Sequence, residues 1–335
     1  MDNKNETAQG NAELVILTRA QGMELALDVL QRHGFSKQEA ETIANHLVEA
    51  ELRGHPMTGL LRLKNVVLMI AKGRNPIRIV REEPTFAHID GGGNPAYLAG
   101  EYAVELAIRK ARENSFAIVS LYNSALGGMS GHYVRLAAEA GYVGVLFSNS
   151  YGRVTPYGGI DPLIGTNPVA FGFPGEQSPV VIDVATSVVN NGDVEVARRN
   201  GESLPAGAAL DEAGEPTLVP EEALLGALLP MGEHKGYAFG LAMQLFGMLA
   251  GGDAVPANMG NFGFFFLVVN PSIFGSSDDY KKRVSGLRDV IKGSRRAKGT
   301  REIFLPGEGS ENRKQMSLRD GFPMRRGLLM ELQEL

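Results

Sequence analysis

The segment LLPMGEHKGYAFGLAMQL, residues 228–245, joins a polar turn that contains glycine to a long apolar run. The pattern predicts helix over residues 221–252, interrupted in its apolar part only by Gln244 and several glycines. A bilayer-spanning helix needs about 20 apolar residues, so this run is predicted to be a core helix. The turn at residues 234–236 places a lysine beside free helix amides, which can hold phosphate. An ordinary turn and helix cap is the alternative interpretation.

Two further polar clusters lie next to predicted strands. Residues 158–168 combine glycine, threonine and asparagine, which can expose backbone amides to an anion or a ring amide. Residues 182–187 form a predicted strand that ends in a carboxylate and two hydroxyls. Each cluster also fits plain turn chemistry, so the residues alone leave both interpretations open.

Composition limits the class of protein. A length of 335 residues favours about two domains, and 44% hydrophobic with 21% charged residues is typical of a globular protein with a sizeable core. The formal net charge of −5 argues against a nucleic-acid partner. Cysteine is absent and the six histidines form no HxxxH or HxH pair, so neither a disulfide nor a metal site is predicted.

The first 13 residues are polar and acidic, which predicts a disordered tail rather than a secretory signal. Together with the shortness of the apolar runs, this favours a cytoplasmic protein with no membrane partner. Residues 281–301 hold nine Lys or Arg against the single acid Asp289. A solvated surface is the simpler interpretation of that run, and a phosphate or RNA contact is the alternative.

Helix and strand signals alternate without a regular βαβ pattern. Ser36 and Glu39 form a capping box that predicts a helix over residues 37–53, and residues 262–269 predict a buried strand. The predicted fold is therefore α/β, α+β-like, with a mixed and largely antiparallel sheet rather than a doubly wound parallel one. No dinucleotide GxGxxG, P-loop or GxSxG motif occurs.

Five ordered motifs nevertheless resemble one family. They are GTNPVAFGFP (residues 165–174), VIDVATS (181–187), ARRNGESLPAGAALDEAGEPT (197–217), LLPMGEHKGYAFGLAMQL (228–245) and FLPGE (304–308). The chain is identified by them as similar to the type-2 malate/L-lactate dehydrogenases, which include ureidoglycolate, sulfolactate, diketogulonate and piperideine-carboxylate oxidoreductases. The resemblance implies hydride transfer between NAD or NADP and a small 2-oxo/2-hydroxy acid or cyclic imine, in a homodimer.

The resemblance also implies a domain plan and a set of site residues. A non-Rossmann NAD(P)-binding domain is expected over residues 81–254, and a helical substrate and dimer domain over residues 14–80 plus 255–335. Arg62 suits a carboxylate substrate, because arginine binds carboxylates bidentately, and Ser150 is included as a candidate catalytic residue. The residues expected to hold the cofactor are Gly165, Thr166, Asn167, Ile182, Asp183, Thr186, Ser187, His234, Lys235, Gly236, Gly307 and Glu308.

The chain departs from the family pattern where proton transfer is expected. The pattern R-G-x-x-S-H-G-x-x-R reads RGHPMTGLLR over residues 53–62, so Thr58 occupies one histidine position. The pattern N-S-x-H-x-G reads NSALGG, so Leu126 occupies the other. Asp193 stands where a lysine is usual, and Val66 where a tyrosine is usual. Loss of a general acid or base typically removes about 10²–10⁴-fold of rate.

Three hypotheses follow from this combination. The first is an NAD(P)-dependent oxidoreductase, with His55, His132 or Lys235 as possible replacements for the missing histidines. The second is a catalytically impaired family member that acts as a cofactor-binding or scaffold protein. The third is a structural dimer that binds no cofactor.

Overall fold

The computed structural model describes residues 13–335, and within that range it contains twelve strands and eleven α-helices. The strands are Leu14–Leu17 (β1), Arg78–Glu83 (β2), Phe86–Asp90 (β3), Phe116–Ser124 (β4), Val143–Ser148 (β5), Val169–Phe173 (β6), Val180–Val184 (β7), Ala209–Leu210 (β8), Pro216–Thr217 (β9), Ala227–Leu228 (β10), Phe262–Val269 (β11) and Phe322–Arg325 (β12). The helices are Arg19–Arg32 (α1), Lys37–Leu52 (α2), Leu63–Ile70 (α3), Ala96–Asn114 (α4), Ser130–Glu139 (α5), Asn191–Asn200 (α6), Pro220–Leu225 (α7), His234–Leu249 (α8), Ser277–Lys292 (α9), Glu308–Asp320 (α10) and Arg326–Glu334 (α11). The predicted tail, residues 1–13, lies outside the described residues apart from Glu13.

The chain forms two compact units, divided after residue 73 and after residue 307. The first unit contains both chain ends, and the second is residues 74–307. The expected boundary at residue 255 differs from this division, because β11 lies inside the main sheet and residues 255–307 belong to the second unit. The predicted boundary at residue 80 also moves, since β2 belongs to that same sheet.

The first unit is a helical assembly with one small antiparallel ribbon. The predicted capping box of α2 is present: the Glu39 amide donates to Ser36 Oγ at 3.3 Å, and the Ser36 amide donates to Glu39 Oε2 at 2.8 Å. Helices α1 and α2 pack on each other, and α10 packs on α2. Strand β1 pairs with β12, so the two ends of the chain are joined within this unit.

The second unit is built on a seven-stranded sheet of order β2-β3-β4-β11-β5-β6-β7. Only the pairing of β3 with β4 is parallel, which confirms the predicted mixed and largely antiparallel sheet. Successive residues of a strand face opposite sides, and β11 shows this directly. Phe266 contacts Tyr133 of α5, whereas Phe265 contacts Phe246 of α8. Helices α4 and α5 therefore cover one face of the sheet and α8 the other.

The helix predicted over residues 221–252 is in fact two helices separated by a strand. Gly226 follows the last residue of α7, and only glycine fits there because a Cβ would lie 2.2 Å from the Leu210 carbonyl oxygen. The chain then forms β10, which pairs with β8 of a three-stranded sheet. Among the described residues, no helix is both long enough and apolar enough to cross a bilayer.

Candidate active site

Asn167 is the centre of a buried polar cluster in the second unit. Its Oδ1 accepts a hydrogen bond from the Ser150 amide at 3.1 Å, and its Nδ2 donates to the Gly240 carbonyl at 2.9 Å and to Gln244 Oε1 at 2.6 Å. Its φ of +33° is unusual for a residue other than glycine. A Cβ at Gly165 would lie 2.3 Å from Asn167 Oδ1, so only glycine fits there. Asn167 thus fixes the predicted site segment to α8, and its own side chain is fully engaged.

The end of β7 runs beside this segment. The Thr186 amide donates to the Thr166 carbonyl at 2.9 Å, and the Met231 amide donates to the Thr186 carbonyl at 3.0 Å. Ser187 forms an isolated antiparallel bridge with Pro230. The Ser187 hydroxyl is buried and has no hydrogen-bond partner among the described residues. A buried polar atom left unpaired costs about 1–3 kcal/mol, so a polar ligand atom at this position is favourable.

Helix α8 begins at His234, next to the end of β7. Glu233, which precedes it, has a φ of +59°, again unusual for a residue with a side chain. A Cβ at Gly236 would lie 1.7 Å from the Met231 carbonyl oxygen, so the first turn packs directly on the preceding backbone. His234 and Lys235 are exposed. The start of this sixteen-residue helix therefore presents a lysine beside the positive end of the helix dipole.

Asp183 lies in β7, one residue after the half-buried Ile182. Its Oδ2 accepts a hydrogen bond from the Gly131 amide, in the first turn of α5, at 2.7 Å. Burial raises the pKa of Asp183 to about 6, although the Gly131 amide acts in the opposite direction. The residue as a whole is nevertheless exposed in the single chain.

Gly307 packs against β7 at Val181. A Cβ on Gly307 would lie 2.7 Å from the Val181 carbonyl oxygen, and its φ of +83° also favours glycine. The structure thus brings together three of the segments predicted to hold the cofactor, residues 165–167, 182–187 and 234–236, and Gly307 packs on Val181, next to the second of them. Glu308, the remaining predicted cofactor residue, is the first residue of α10 and belongs to the first unit.

The loop before α5 contains Leu126, one of the two positions where the family pattern has a histidine. Leu126 is half-buried, has a φ of +60° and offers no titratable group. The Tyr133 hydroxyl lies 2.9 Å from the Gly127 carbonyl oxygen, which fixes the loop beside Leu126. His132, one of the predicted replacements, lies 3.1 Å from Glu101 of α4.

Thr58, the other position where the family pattern has a histidine, lies in the first unit. It is part of a pair of 3₁₀ turns, Pro56–Thr58 and Leu60–Arg62. Helix α3 follows them directly, from Leu63. The Thr58 hydroxyl donates to the His55 carbonyl at 3.1 Å, and Arg62 Nε donates to the Met57 carbonyl at 2.7 Å. The Arg62 nitrogens beyond Nε remain able to form the planar pair of bonds that a carboxylate requires.

Asp193, the acid at a usual lysine position, has a local structural role. The Asn190 amide donates to its carboxylate at 2.8 Å, and its own amide donates to Asn190 Oδ1 at 3.0 Å. This reciprocal pair is the capping box of α6. The substitution therefore stabilises the start of a helix.

Two residues that matter in these regions were not predicted from the sequence. Gln244 completes the Asn167 cluster and also donates to the Ala254 carbonyl at 2.5 Å. A single polar residue within an apolar run was the available signal for it. Glu51 is buried beneath the 3₁₀ turns and accepts a hydrogen bond from the Leu60 amide, and no local pattern marks such a residue.

Comparison with known proteins agrees with this architecture. Residues 18–333 match the malate/L-lactate dehydrogenase family. The chain is 35% identical over 326 residues to malate dehydrogenase from Pyrococcus horikoshii, covering 92% of this chain and 91% of that protein. It is 33% identical over 333 residues to L-sulfolactate dehydrogenase from Methanocaldococcus jannaschii, covering 96% of each. The solved structure of sulfolactate dehydrogenase from that organism superimposes with a TM-score of 0.89 at 32% identity, covering 96% of each chain.

The mixed, largely antiparallel sheet is not of the Rossmann type, and the family match identifies the class as a dehydrogenase. The chain belongs to the malate/L-lactate dehydrogenase family and is an oxidoreductase.

Proposed function

We propose that this protein transfers a hydride between a nicotinamide dinucleotide and a small 2-hydroxy acid or its 2-oxo partner. The observation that carries the proposal is the meeting of residues 165–167, 182–187 and 234–236 through backbone and side-chain hydrogen bonds. These segments are far apart in the sequence, and each offers groups that suit a dinucleotide. Their convergence is what a cofactor site requires.

The chemistry of the converging groups fits a nicotinamide dinucleotide. Lys235 and the amides at the start of α8 suit a pyrophosphate. The unpartnered Ser187 hydroxyl suits a ribose or carboxamide group. The hydride is supplied by the cofactor when bound, so the protein has to provide binding, orientation and a proton.

Arg62 is the group that would hold the substrate. Its guanidinium is anchored at one nitrogen by the Met57 carbonyl and is half-buried. An arginine held in this way can form a bidentate pair with a carboxylate. The named substrates of the relatives, malate and sulfolactate, are 2-hydroxy acids with a second acidic group, so the first substrates to test have this form.

Asp183 would handle the proton in place of the missing histidines. Neither Thr58 nor Leu126 offers a group that titrates near neutral pH. Burial places the pKa of Asp183 at about 6, which is close to the pH at which an acid–base group works best. Reduction of the 2-oxo acid would use the protonated form and oxidation of the 2-hydroxy acid the ionised form.

The exposed side of α8 supports a homodimer. This helix is apolar nearly all round, and such helices are normally buried. Phe239, Leu245 and Leu249 are nevertheless 60%, 55% and 70% exposed in the single chain. A second copy that covers them would remove this apolar surface from water.

Calorimetric titration with NADH and NADPH tests the cofactor site without requiring turnover. We expect binding of at least one of them, weakened by Lys235→Met and left unchanged by Lys282→Met on the surface helix α9. Absence of binding by the folded protein would contradict the proposal and favour the structural dimer.

Absorbance assays then test the reaction with oxaloacetate, pyruvate, sulfopyruvate, ureidoglycolate and piperideine-2-carboxylate. We expect reduction of a 2-oxo acid to fall as the pH rises above about 6, and Asp183→Asn to lose about 10²-fold or more of kcat. Cofactor binding without turnover on any of these compounds would favour the alternative, an impaired relative that serves as a cofactor-binding or scaffold protein.

A further inference from the structure

Glu51 is a buried acid that the proposed reaction does not use. It lies near the end of α2 and is 5% exposed. Its Oε1 accepts a hydrogen bond from the Leu60 amide at 2.8 Å. Leu60 is the first residue of the 3₁₀ turn that ends at Arg62, and amides at the start of such a turn lack partners within it. Glu51 supplies that partner from nine residues earlier in the chain.

Gly59 provides the space that the carboxyl group occupies. A Cβ on Gly59 would lie 2.4 Å from Glu51 Oε1 and 2.6 Å from its carboxyl carbon. Gly59 links the two 3₁₀ turns, so the acid is seated at the joint between them. Two bonds complete the local structure: the Arg62 amide donates to the Gly59 carbonyl at 2.9 Å, and Arg62 Nε donates to the Met57 carbonyl. The backbone around Arg62 is thereby tied to Glu51 through one continuous set of contacts.

Glu51 forms no ion pair with any residue that the structure describes. On α2 and α10, Glu49 pairs with Arg53 and Lys314, and Arg53 also pairs with Glu311. The charged residues of α1 (Arg19, Glu24, Asp28 and Arg32) and His55 of the turn are exposed. Burial therefore raises the pKa of Glu51 to about 8, against the weaker opposite effect of the Leu60 amide. The acid is uncharged at neutral pH, and its carbonyl oxygen remains able to accept the bond.

We propose that Glu51 is a positioning residue for the substrate site: seated beside Gly59, it holds the Leu60 amide and so fixes the turn that orients Arg62. The proposal rests on the proposed role of Arg62 in binding the substrate carboxylate. It extends that role, because substrate affinity then depends on an acid that touches neither substrate nor cofactor. Ionisation of Glu51 would place an unpaired charge in an apolar setting and loosen the turn.

The first test separates substrate affinity from turnover. Steady-state kinetics with malate, at saturating cofactor and from about pH 6 to pH 9, would compare the wild type with Glu51→Ala and Glu51→Gln. We expect Glu51→Ala to raise KM about tenfold at pH 7, the effect of losing one buried hydrogen bond, with little change in kcat. Glutamine keeps the acceptor oxygen, so Glu51→Gln should restore KM toward the wild-type value.

The pH profile distinguishes positioning from a merely structural role. In the wild type, KM should rise about tenfold one pH unit above the pKa, because the binding-competent fraction falls to about one tenth. This rise should be absent in Glu51→Gln, which cannot ionise, and present in the matched control Glu49→Gln on the same helix. The proposal is overturned if folded Glu51→Ala has the wild-type KM, or if the KM rise persists unchanged in Glu51→Gln.

Hydrogen exchange at the Leu60 amide provides a measurement that does not depend on the reaction. We expect the amide to be protected in the wild type and in Glu51→Gln, and to exchange at least about tenfold faster in Glu51→Ala. Equal protection in all three proteins would overturn the proposed hydrogen bond. If instead exchange responds while Arg62→Ala leaves KM unchanged, the role given to Arg62 in substrate binding fails and the positioning role of Glu51 fails with it.

Discussion

The turn around Thr58 and the loop around Leu126 occupy the two positions where the family resemblance places a histidine. Thr58 keeps a hydroxyl, which is bonded to the His55 carbonyl, in a turn that Glu51 holds from below. Leu126 keeps no polar group, yet its backbone retains a φ of +60° in a loop fixed by Tyr133. In both places neighbouring residues determine the backbone shape. Thr58 keeps a polar group and Leu126 does not, yet the backbone is held in place at both. The backbone shape of these positions therefore does not depend on a side chain that can transfer a proton.

Restoring histidine at both positions is the strongest test of this conclusion. In the Asp183→Asn background, which lacks the proposed proton carrier, we expect Thr58→His with Leu126→His to raise kcat by about 10²–10⁴-fold, the usual contribution of a general acid or base. Histidine tolerates positive φ better than leucine does, so Leu126→His should not lower the unfolding temperature. Steady-state kinetics and thermal unfolding of the single and double variants would check both expectations.

Thr58→Ala and Leu126→Ala are the matched controls, since they change the same positions without adding a proton donor. Neither should increase kcat. Failure of the double variant to restore kcat in the Asp183→Asn background would contradict the proton role given to these two positions.

The sequence predicted those parts of the fold that depend on local patterns. The capping box at Ser36 and the apolar run at β11 each carry their signal within a few residues, and both formed as expected. The pairing of β1 with β12 was not predicted, because it joins segments some three hundred positions apart. The break at Gly226 was also missed, because the strand that follows it forms by pairing with β8, a segment elsewhere in the chain.

Asn167→Ala tests whether the framework of the second unit depends on one side chain. The change would leave the Ser150 amide, the Gly240 carbonyl and Gln244 with fewer partners in a buried setting. Unsatisfied buried groups cost about 1–3 kcal/mol each, so we expect a loss of roughly 3 kcal/mol in the free energy of unfolding. Urea denaturation would measure it.

Thr166→Ala, next in sequence and half-buried, is the control and should change the unfolding free energy by less than about 1 kcal/mol. A similar loss in both variants would mean that the segment is sensitive to any change, and that Asn167 has no special position in it.

The candidate site was predictable where its residues lie in recognisable motifs, and not where it depends on packing. Gly165, Thr186 and Lys235 belong to quoted motifs, and their segments do come together. Nothing near Glu51 in the sequence indicates that the helix ends beneath a turn, or that the glycine eight residues later leaves room for a carboxyl group. Burial of that kind is a property of the assembled unit.

Glu49 and Glu51, two residues apart on α2, should affect stability at opposite ends of the pH scale. Because burial raises the pKa of Glu51 from 4.5 to about 8, its contribution is full below about pH 4.5 and is lost as the pH rises through 8. We expect the unfolding free energy of the wild type to fall relative to Glu51→Gln by on the order of 1 kcal/mol per pH unit in that window. Denaturation series between pH 6 and pH 8 would measure this slope.

Glu49 and Asp183 serve as controls in the same denaturation measurements. Burial acts to raise the pKa of Glu49, but the hydrogen bond from Lys314 and the charge of Arg53 outweigh it and lower the pKa. Glu49→Gln should therefore differ from the wild type in slope only below about pH 4.5. Asp183, with its pKa raised from 3.8 to about 6, affects the slope below that value. A wild-type slope equal to that of Glu51→Gln between pH 6 and pH 8 would show that Glu51 is already ionised.

Ser187→Ala gives the smallest expected change in stability and separates a ligand group from a framework group. The Ser187 hydroxyl is buried without a partner among the described residues, so its removal relieves a desolvation cost instead of breaking a bond. We expect the unfolding free energy without cofactor to stay the same or to increase by up to about 1 kcal/mol.

Cofactor affinity should weaken by about tenfold, the loss of one good hydrogen bond to the ligand. Denaturation and titration of the same preparation with NADH and NADPH would measure both quantities. A loss of stability with no change in affinity would place Ser187 in the framework, as Asn167 is, and would remove this hydroxyl from the proposed dinucleotide site.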